Sequence, residues 1–172
     1  DITEPLPISL GLSPTHINCY GNNNGTIDLT VSGGTFPYSF SWSNGAQTED
    51  MVDLSPDSYS VTVTDDNGCV NKGNTNISSP QPISVSYISN NVLCYGDAGG
   101  YIKLTVTGGI SPYSFLWSNG TTTKDLSNLE SGYYSLNLSD ANGCPFSQNI
   151  TILIDQPDSL QISAGITSNY NG

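Results

Sequence analysis

A chain of 172 residues is long enough for one ordinary domain or two small ones. Only 10% of its residues are charged, and 15 Asp and Glu against three Lys give a formal net charge of −12. Such a charge repels nucleic-acid phosphates, so we predict no nucleic-acid partner. The sequence has no run of about 18 apolar residues, so we predict no membrane insertion. The apolar residues are largely branched or aromatic, and 18 Gly and 10 Pro interrupt them. This composition predicts an all-β fold.

The first half of the chain shows the alternation of apolar and polar residues that half-buried strands require. Ile27, Leu29 and Val31 alternate with polar residues, as do the aromatic residues at 38–42. An Asn-Gly pair later in this half supplies a tight turn. Strands are predicted, in chain order, near 8–12, 27–31, 38–42, 48–54, 59–63 and 69–78. This number of strands is typical of a β-sandwich.

The second half repeats the first half at one fixed offset, without a gap, so that 7–81 aligns with 82–156. This pairing gives 33 identities in 75 positions, which shared composition alone does not produce. We therefore predict two tandem copies of one β-sandwich, 7–81 and 82–156. In this frame 1–6 ends a preceding copy and 157–172 begins a third. We expect a longer parent array in which Pro-containing junctions limit the swivel of neighbouring copies.

Each predicted copy holds two cysteines that lie far apart in the sequence, Cys19 and Cys69 in the first and Cys94 and Cys144 in the second. Three disulfide pairings are possible. We predict one bond within each copy, because a unit of an array of any length must be self-sufficient. A four-cysteine zinc site is the alternative, although such sites normally show closely spaced cysteines. Structural disulfides would stabilise a small core and place the protein outside the reducing cytosol.

One ordered motif runs through both copies. It reads Cys-x-Gly, then Gly-Gly-x-x-Pro-Tyr-x-Phe-x-Trp-Ser-Asn-Gly, then Asp-x-Asn-Gly-Cys, and it closes on Gln-Pro. The motif resembles the SprB repeat, and the resemblance covers about 150 of the 172 residues. The strand before the last Asn-Gly turn is also similar to PKD domains, which are Ig-like β-sandwiches. Both resemblances imply two tandem Ig-like domains.

The resemblance to SprB repeats also implies a function. Such repeats occur in very large adhesins on the surface of gliding bacteria, which the type IX secretion route exports. A stalk segment in such an adhesin would serve cell adhesion and gliding motility. Its implied partners are neighbouring repeats, extracellular polysaccharide or a solid surface, and, through the parent protein, the gliding machinery. Two alternatives are a glycan- or protein-binding module of a secreted protein and an accessory domain of a secreted enzyme.

Few residues suggest a catalytic or metal site. His16 is the only histidine, and Asn91 replaces it in the second copy, so we predict a loop residue and no enzymatic activity. Asp65 and Asp140 each lie beside an Asn-Gly turn and are candidate calcium ligands. The alternative is that each carboxylate accepts hydrogen bonds from its turn. We predict no other cofactor.

Aromatic residues divide into a candidate ligand site and a predicted core. Tyr20 and Tyr95 follow the first cysteine of each copy and are candidates for stacking on sugar rings. The alternative is that each tyrosine covers a neighbouring disulfide. The predicted core aromatics are Phe40, Trp42, Phe115 and Trp117.

Overall fold

The structure is a computed structural model that describes residues 6–163 and residue 165. Every regular element in this part of the chain is a β-strand, which confirms the all-β prediction. The first copy contains β1 (Ser9–Thr15), β2 (Gly25–Ser32), β3 (Ser39–Trp42), β4 (Met51–Leu54), β5 (Asp57–Thr64) and β6 (Val70–Ile77). The second copy contains β7 (Ser84–Asn90), β8 (Gly100–Thr107), β9 (Ser114–Trp117), β10 (Leu126–Leu129), β11 (Gly132–Ser139) and β12 (Ile150–Ile154). No helix in the described residues is long and apolar enough to cross a membrane.

Each copy forms two three-stranded sheets. Their strand orders are β1-β2-β4 and β3-β5-β6 in the first copy, and β7-β8-β10 and β9-β11-β12 in the second. The two sheets of a copy approach closely at a glycine. A Cβ on Gly25 of β2 would lie 2.6 Å from the Ile77 side chain of β6, and a Cβ on Gly100 would lie 2.7 Å from Ile154. Each copy is therefore an Ig-like β-sandwich.

The apolar alternation builds the core of each sandwich. Ile27 and Leu29 of β2 are buried, as are Ile102 and Leu104 at the same positions of β8. Both tryptophans are buried as predicted, and each indole N–H donates to a backbone carbonyl, at 2.9 Å in the first copy and 3.0 Å in the second. Phe40 is partly buried against the core. Burying apolar area on this scale is the main stabilising contribution to a domain of this size.

The repeat does not continue without a gap to the end of the second copy. Asp57 pairs with Ile77 across β5 and β6, and the equivalent Gly132 pairs with Ile154 across β11 and β12. In the sequence alignment, however, the equivalent of Ile77 is Ile152. Two extra residues therefore lie between Cys144 and β12, and the last strand of the second copy is displaced by two positions in the sequence.

The chain divides into two compact units that differ from the sequence copies. The first unit contains Asp1–Ile83 together with Gly108–Tyr113 and Ser139–Pro145 of the second copy. The second unit contains Ser84–Thr107, Ser114–Leu138 and Phe146–Gly172. The predicted fragments at 1–6 and 157–172 lie partly outside the described residues.

Candidate functional site

Two turns, which we name the cysteine turns, lie at 65–69 in the first copy and 140–144 in the second. Asp65 directly follows β5, and its Oδ1 accepts the backbone N–H groups of Asn67 and Cys69 at 3.0 and 2.8 Å. Its Oδ2 accepts the N–H of Thr35 at 3.0 Å. The carboxylate therefore closes the turn and holds the backbone of Cys69 in place.

Asp140 builds the same turn in the second copy. Its Oδ1 accepts the N–H groups of Asn142 and Cys144, both at 2.9 Å, and its Oδ2 accepts the N–H of Ile110 at 3.0 Å. Only 6% of Asp65 and 4% of Asp140 is exposed. A buried carboxylate is costly unless hydrogen bonds satisfy it. Each of these two carboxylates accepts three backbone N–H groups.

These hydrogen bonds also act on the ionisation of Asp65. Burial raises the pKa of this carboxyl, but the backbone donors of Thr35, Cys69 and Asn67 outweigh that effect. The pKa of Asp65 therefore lies below its usual value, because the donors stabilise the charged form.

The same geometry bears on the calcium prediction. The oxygens that calcium would need already accept backbone N–H groups in both cysteine turns, which is the alternative role considered for Asp65 and Asp140. The part of the chain that the structure describes holds no group of three or more His, Cys, Asp or Glu side chains able to bind a metal ion. Calcium binding at these residues stays a prediction.

A disulfide joins Cys19 to Cys144, whose Cα atoms lie 5.5 Å apart. Cys19 lies between β1 and β2 of the first copy, and Cys144 ends the cysteine turn of the second. Beside the bond, the Asn142 side-chain amide donates to the carbonyl oxygen of Asn18 at 3.0 Å. The bond therefore connects one residue of each sequence copy, and both residues belong to the first compact unit.

The predicted pairing of Cys19 with Cys69 and of Cys94 with Cys144 is wrong. All four cysteines lie in the described residues, and Cys69 and Cys94 are free and exposed. The Cys19–Cys144 bond also rules out a zinc site formed by all four thiolates.

Strand β6 explains why the pairing within the first copy fails. Cys69 directly precedes this strand. At its other end, Ile17 donates its N–H to the carbonyl of Ser78 at 3.0 Å, and Cys19 follows two residues later. Eight strand residues at about 3.3 Å each separate the two ends by roughly 25 Å, far more than a disulfide spans.

The path of the chain brings the correct partners together. The last strand of the first copy ends at Ile77, and the next residue, Ser78, lies beside the Cys19 loop. A few residues later the chain reaches the second cysteine turn. There the carbonyl of Gln81 accepts the N–H of Gly109 at 2.8 Å, and the residue after Gly109, Ile110, donates its N–H to Asp140. A short connection therefore leads from one cysteine to the other. The sequence carries no simple signal for this path, because strands that reverse in turn would place the β1–β2 loop and the β5–β6 turn at the same end of a sandwich.

The surface beside Cys69 is open. A cleft of about 790 Å³ lies there, and its walls include Leu6, Pro7 and Val70. Leu6 and Val70 are exposed apolar side chains. The cysteine turn of the first copy thus presents a free thiol at the edge of an apolar cleft.

Residues proposed for other roles lie on the surface or in structural positions. Tyr20 and Tyr95 are 64% and 60% exposed, so their rings are accessible, and sugar stacking stays a prediction. His16 accepts the N–H of Ser78 at Nδ1, at 3.2 Å. Asn91 accepts the N–H of Asp155 at Oδ1, at 3.1 Å. The histidine and the asparagine that replaces it therefore both accept a backbone donor just beyond the last strand of their copy.

Comparisons with known proteins give one family match and several similar structures. The family model of the SprB repeat matches residues 12–47 and 86–122. A three-Ig-domain structure of titin is 13% identical with a TM-score of 0.50, and the match covers 88% of this chain and 65% of that one. The N-terminal eight Ig domains of the Down Syndrome Cell Adhesion Molecule are 12% identical with a TM-score of 0.45, over 88% of this chain and 25% of that one.

The fibronectin(III)-like modules of CbhA from Clostridium thermocellum are also 12% identical, with a TM-score of 0.36 over 91% of this chain and 100% of that one. No curated protein matches the chain. At these identities the titin structure supports the fold alone. Residues 12–47 and 86–122 are similar to the SprB repeat, and each of these segments lies in one of the two Ig-like β-sandwiches.

Proposed function

We propose that this chain is a structural segment of the stalk of a large bacterial cell-surface adhesin that acts in surface adhesion and gliding motility. The SprB repeat is a cell-surface adhesin-type repeat, and an Ig-like fold suits an extracellular structural domain. Repeats and Ig-like domains of this kind are typically non-enzymatic, and the proposal assigns no catalysis to the chain. Its partners would be neighbouring repeats, a polysaccharide or solid surface and, through the parent protein, the gliding machinery.

The observation that carries this proposal is the disulfide between the two repeats. Each repeat has its own buried core, and Cys19–Cys144 adds a covalent bond between them that survives when backbone ladders open. The ladders themselves are long, with seven residue pairs between β1 and β2 and eight between β5 and β6. A stalk under load needs both features. The disulfide also suits the oxidising extracellular space to which type IX secretion would deliver the protein.

Cell labelling tests the proposal directly. Antibodies raised against the purified chain are applied to intact cells of the source bacterium and, as a control, to lysed cells. We expect labelling of intact cells, displacement of the label along the cell during gliding, and loss of both adhesion and label when the repeat segment is deleted. Label in lysed cells alone would contradict a surface location. Surface label with unchanged adhesion after deletion would contradict the adhesive role.

Glycan binding is the second candidate function, because Tyr20 and Tyr95 occupy the same position in both repeats and both are exposed. Exposed tyrosine rings stack on the apolar faces of sugars. The test is binding of the chain to immobilised bacterial and plant polysaccharides, with the double variant Tyr20→Ala, Tyr95→Ala. Exposed Tyr133 occurs in the second repeat alone, so Tyr133→Ala is the matched control. Equal binding by all three proteins would remove this candidate.

A further inference from the structure

Two cysteines have no role in the fold described so far. The repeat alignment relates Cys69 to Cys144 and Cys94 to Cys19. In each pair one cysteine is part of the disulfide and the other is a free, exposed thiol. Cys69 thus corresponds to the Cys144 side of the existing bond, and Cys94 corresponds to the Cys19 side.

The surface at Cys69 is built like the surface that receives Cys19 in the second repeat. Its turn has the three backbone hydrogen bonds to an aspartate that hold Cys144. Asn67 occupies the position of Asn142, the amide that donates to the backbone carbonyl beside Cys19. In the first repeat, an open cleft of about 790 Å³ adjoins Cys69. The cysteine turn at 65–69 is therefore a receiving surface without an occupant.

The loop at Cys94 is built like the loop that carries Cys19. Asp97 donates its N–H to the carbonyl of Cys94 at 3.2 Å, as Asn22 does to Cys19 at 3.2 Å. The residue before Cys94 is Leu93, an apolar side chain that is 85% exposed. The amide contact beside Cys19 is made to the backbone carbonyl of Asn18, the residue before the cysteine. Leu93 is at the equivalent position before Cys94, and its backbone carbonyl is the same kind of acceptor.

We propose that Cys69 and Cys94 form further disulfides of the Cys19–Cys144 type with neighbouring SprB repeats, so that a covalent ladder links successive repeats of an array. Cys94 pairs with the second cysteine of a repeat that follows, and Cys69 pairs with the first cysteine of a repeat that precedes. The neighbouring repeat belongs either to the same chain or to a second copy. Between two copies of this chain the bond joins Cys94 of one to Cys69 of the next.

Each bond forms by thiol–disulfide exchange with a small-molecule disulfide such as oxidised glutathione. The thiolate of one cysteine attacks a sulfur of that disulfide and releases one glutathione thiol. The partner thiolate then attacks the protein sulfur of the mixed disulfide and releases the second. Two protein thiols and one glutathione disulfide give one protein disulfide and two glutathione thiols, which balances electrons and protons.

The first test places a neighbouring repeat in the same chain. A further copy of residues 82–158 is inserted after Asp158 of the full chain, and the protein is oxidised in a glutathione buffer. Alkylation and peptide mapping then identify each bond. We expect two disulfides: the original Cys19–Cys144 and a new one from Cys94 to the second cysteine of the inserted repeat. Cys69 and the first cysteine of the inserted repeat remain alkylated.

A matched control carries serine at the second cysteine of the inserted repeat, which should return Cys94 to the free state. Three disulfides within repeats, with no free thiol, would overturn the ladder. The ladder would also be overturned if Cys94 stays free both in the protein with the inserted repeat and in the second test below.

The second test places the neighbouring repeat on another copy. Cys69→Ser and Cys94→Ser variants of the full chain are oxidised separately and as a mixture. Head-to-tail pairing predicts disulfide dimers in the mixture, containing the Cys94–Cys69 peptide, and little dimer in either variant alone. Dimers in the mixture show that a second copy serves as a source of the partner. A monomeric mixture together with the new bond in the inserted protein restricts the partner to the same chain. Equal dimerisation of the separate variants indicates unselective oxidation and overturns the pairing rule.

Neither test depends on cellular location or on adhesion. Failure of the ladder would leave the proposed adhesin function standing, and failure of the cell-labelling experiment would leave the ladder standing.

Discussion

The two cysteine turns have the same hydrogen bonds but end in cysteines with different fates. At 65–69 and at 140–144, an aspartate carboxylate accepts three backbone N–H groups at 2.8–3.0 Å. Cys144 is 6% exposed and bonded to Cys19, whereas Cys69 is exposed and free. The local sequence therefore builds the turn, and the neighbour that reaches the turn determines the state of its cysteine.

This comparison separates two sources of stability. The hydrogen bonds around each aspartate act within a few residues of chain and should contribute alike in both repeats. The disulfide closes a loop of 125 residues in only one of them. Substitutions at equivalent positions of the two turns can therefore distinguish local from long-range stabilisation.

The largest expected difference is between Cys144→Ser and Cys69→Ser. By loss of loop closure, Cys144→Ser should lower the free energy of unfolding by about 5 kcal/mol, while Cys69→Ser should leave it almost unchanged. Thermal and urea unfolding with and without reductant measure the difference. Reduction should destabilise the wild type and the Cys69→Ser variant, but not the Cys144→Ser variant. Equal effects of the two serines would contradict the observed pairing.

Single-molecule stretching sharpens the same comparison. In the oxidised chain, the residues between Cys19 and Cys144 cannot be extended. Reduction should release roughly 40 nm of additional contour length, the extended span of that segment. Cys144→Ser should show this length without reductant, and Cys69→Ser should not. Identical extension before and after reduction would exclude a load-bearing bond between the repeats.

The next effect is that of Asp140→Ala. The substitution removes the acceptor of three backbone N–H groups, of which that of Cys144 is buried, and we expect a loss of free energy of unfolding on the order of 3 kcal/mol. Asp65→Ala should destabilise in the same direction through the equivalent hydrogen bonds. Asp66→Ala is the control, because Asp66 is exposed. Urea unfolding measures all three variants, and an Asp140→Ala protein as stable as the control would show that the carboxylate does not hold the turn.

A smaller effect is expected for Gly68→Ala and Gly143→Ala. These glycines have φ angles of 83° and 76°, a left-handed conformation that costs a non-glycine residue about 1 kcal/mol. No heavy atom lies within 4 Å of a Cβ built at either position, so this cost is conformational and should be equal in the two turns. A much larger loss at Gly143 than at Gly68 would indicate that the disulfide makes the second turn less tolerant.

Acid should reveal the lowered pKa of Asp65. The folded-state pKa lies below the unfolded value of about 4, so ionised Asp65 stabilises the fold above that pH. This contribution is lost as the pH falls through the folded pKa. Unfolding followed by tryptophan fluorescence across the acidic range should show a shallower loss of stability in Asp65→Asn than in the wild type. An unchanged slope would mean that other carboxyls dominate acid unfolding.

Calcium should have the smallest effect. Because both oxygens of Asp65 and of Asp140 accept backbone N–H groups, addition of calcium or of a chelator should not shift the melting temperature. Melting curves in calcium and in chelator provide the measurement. A clear rise in calcium that Asp140→Asn abolishes would instead identify the turn as an ion site.

The sequence predicted most of the fold correctly. Each of the six strands of the first repeat overlaps its predicted range, and Trp42 and Trp117 are buried at the predicted positions. The tight turn at Asn67-Gly68 and the possible hydrogen-bonding role of Asp65 were also accessible, because they depend on residues close in the chain. The sequence did not predict the two extra residues before β12 or the contact of Asn142 with the Cys19 loop.

The sequence by itself determined the repeat, the strands and the cysteine turns, because periodicity and turn chemistry act over a few residues. Only the tertiary structure decided which cysteines pair. The spacing of two cysteines along the chain says nothing about their distance in space, and β6 holds Cys19 and Cys69 at opposite ends of one sandwich. Cys144 reaches Cys19 instead, because the chain leaves the first sandwich at the Cys19 end and enters the second beside its cysteine turn.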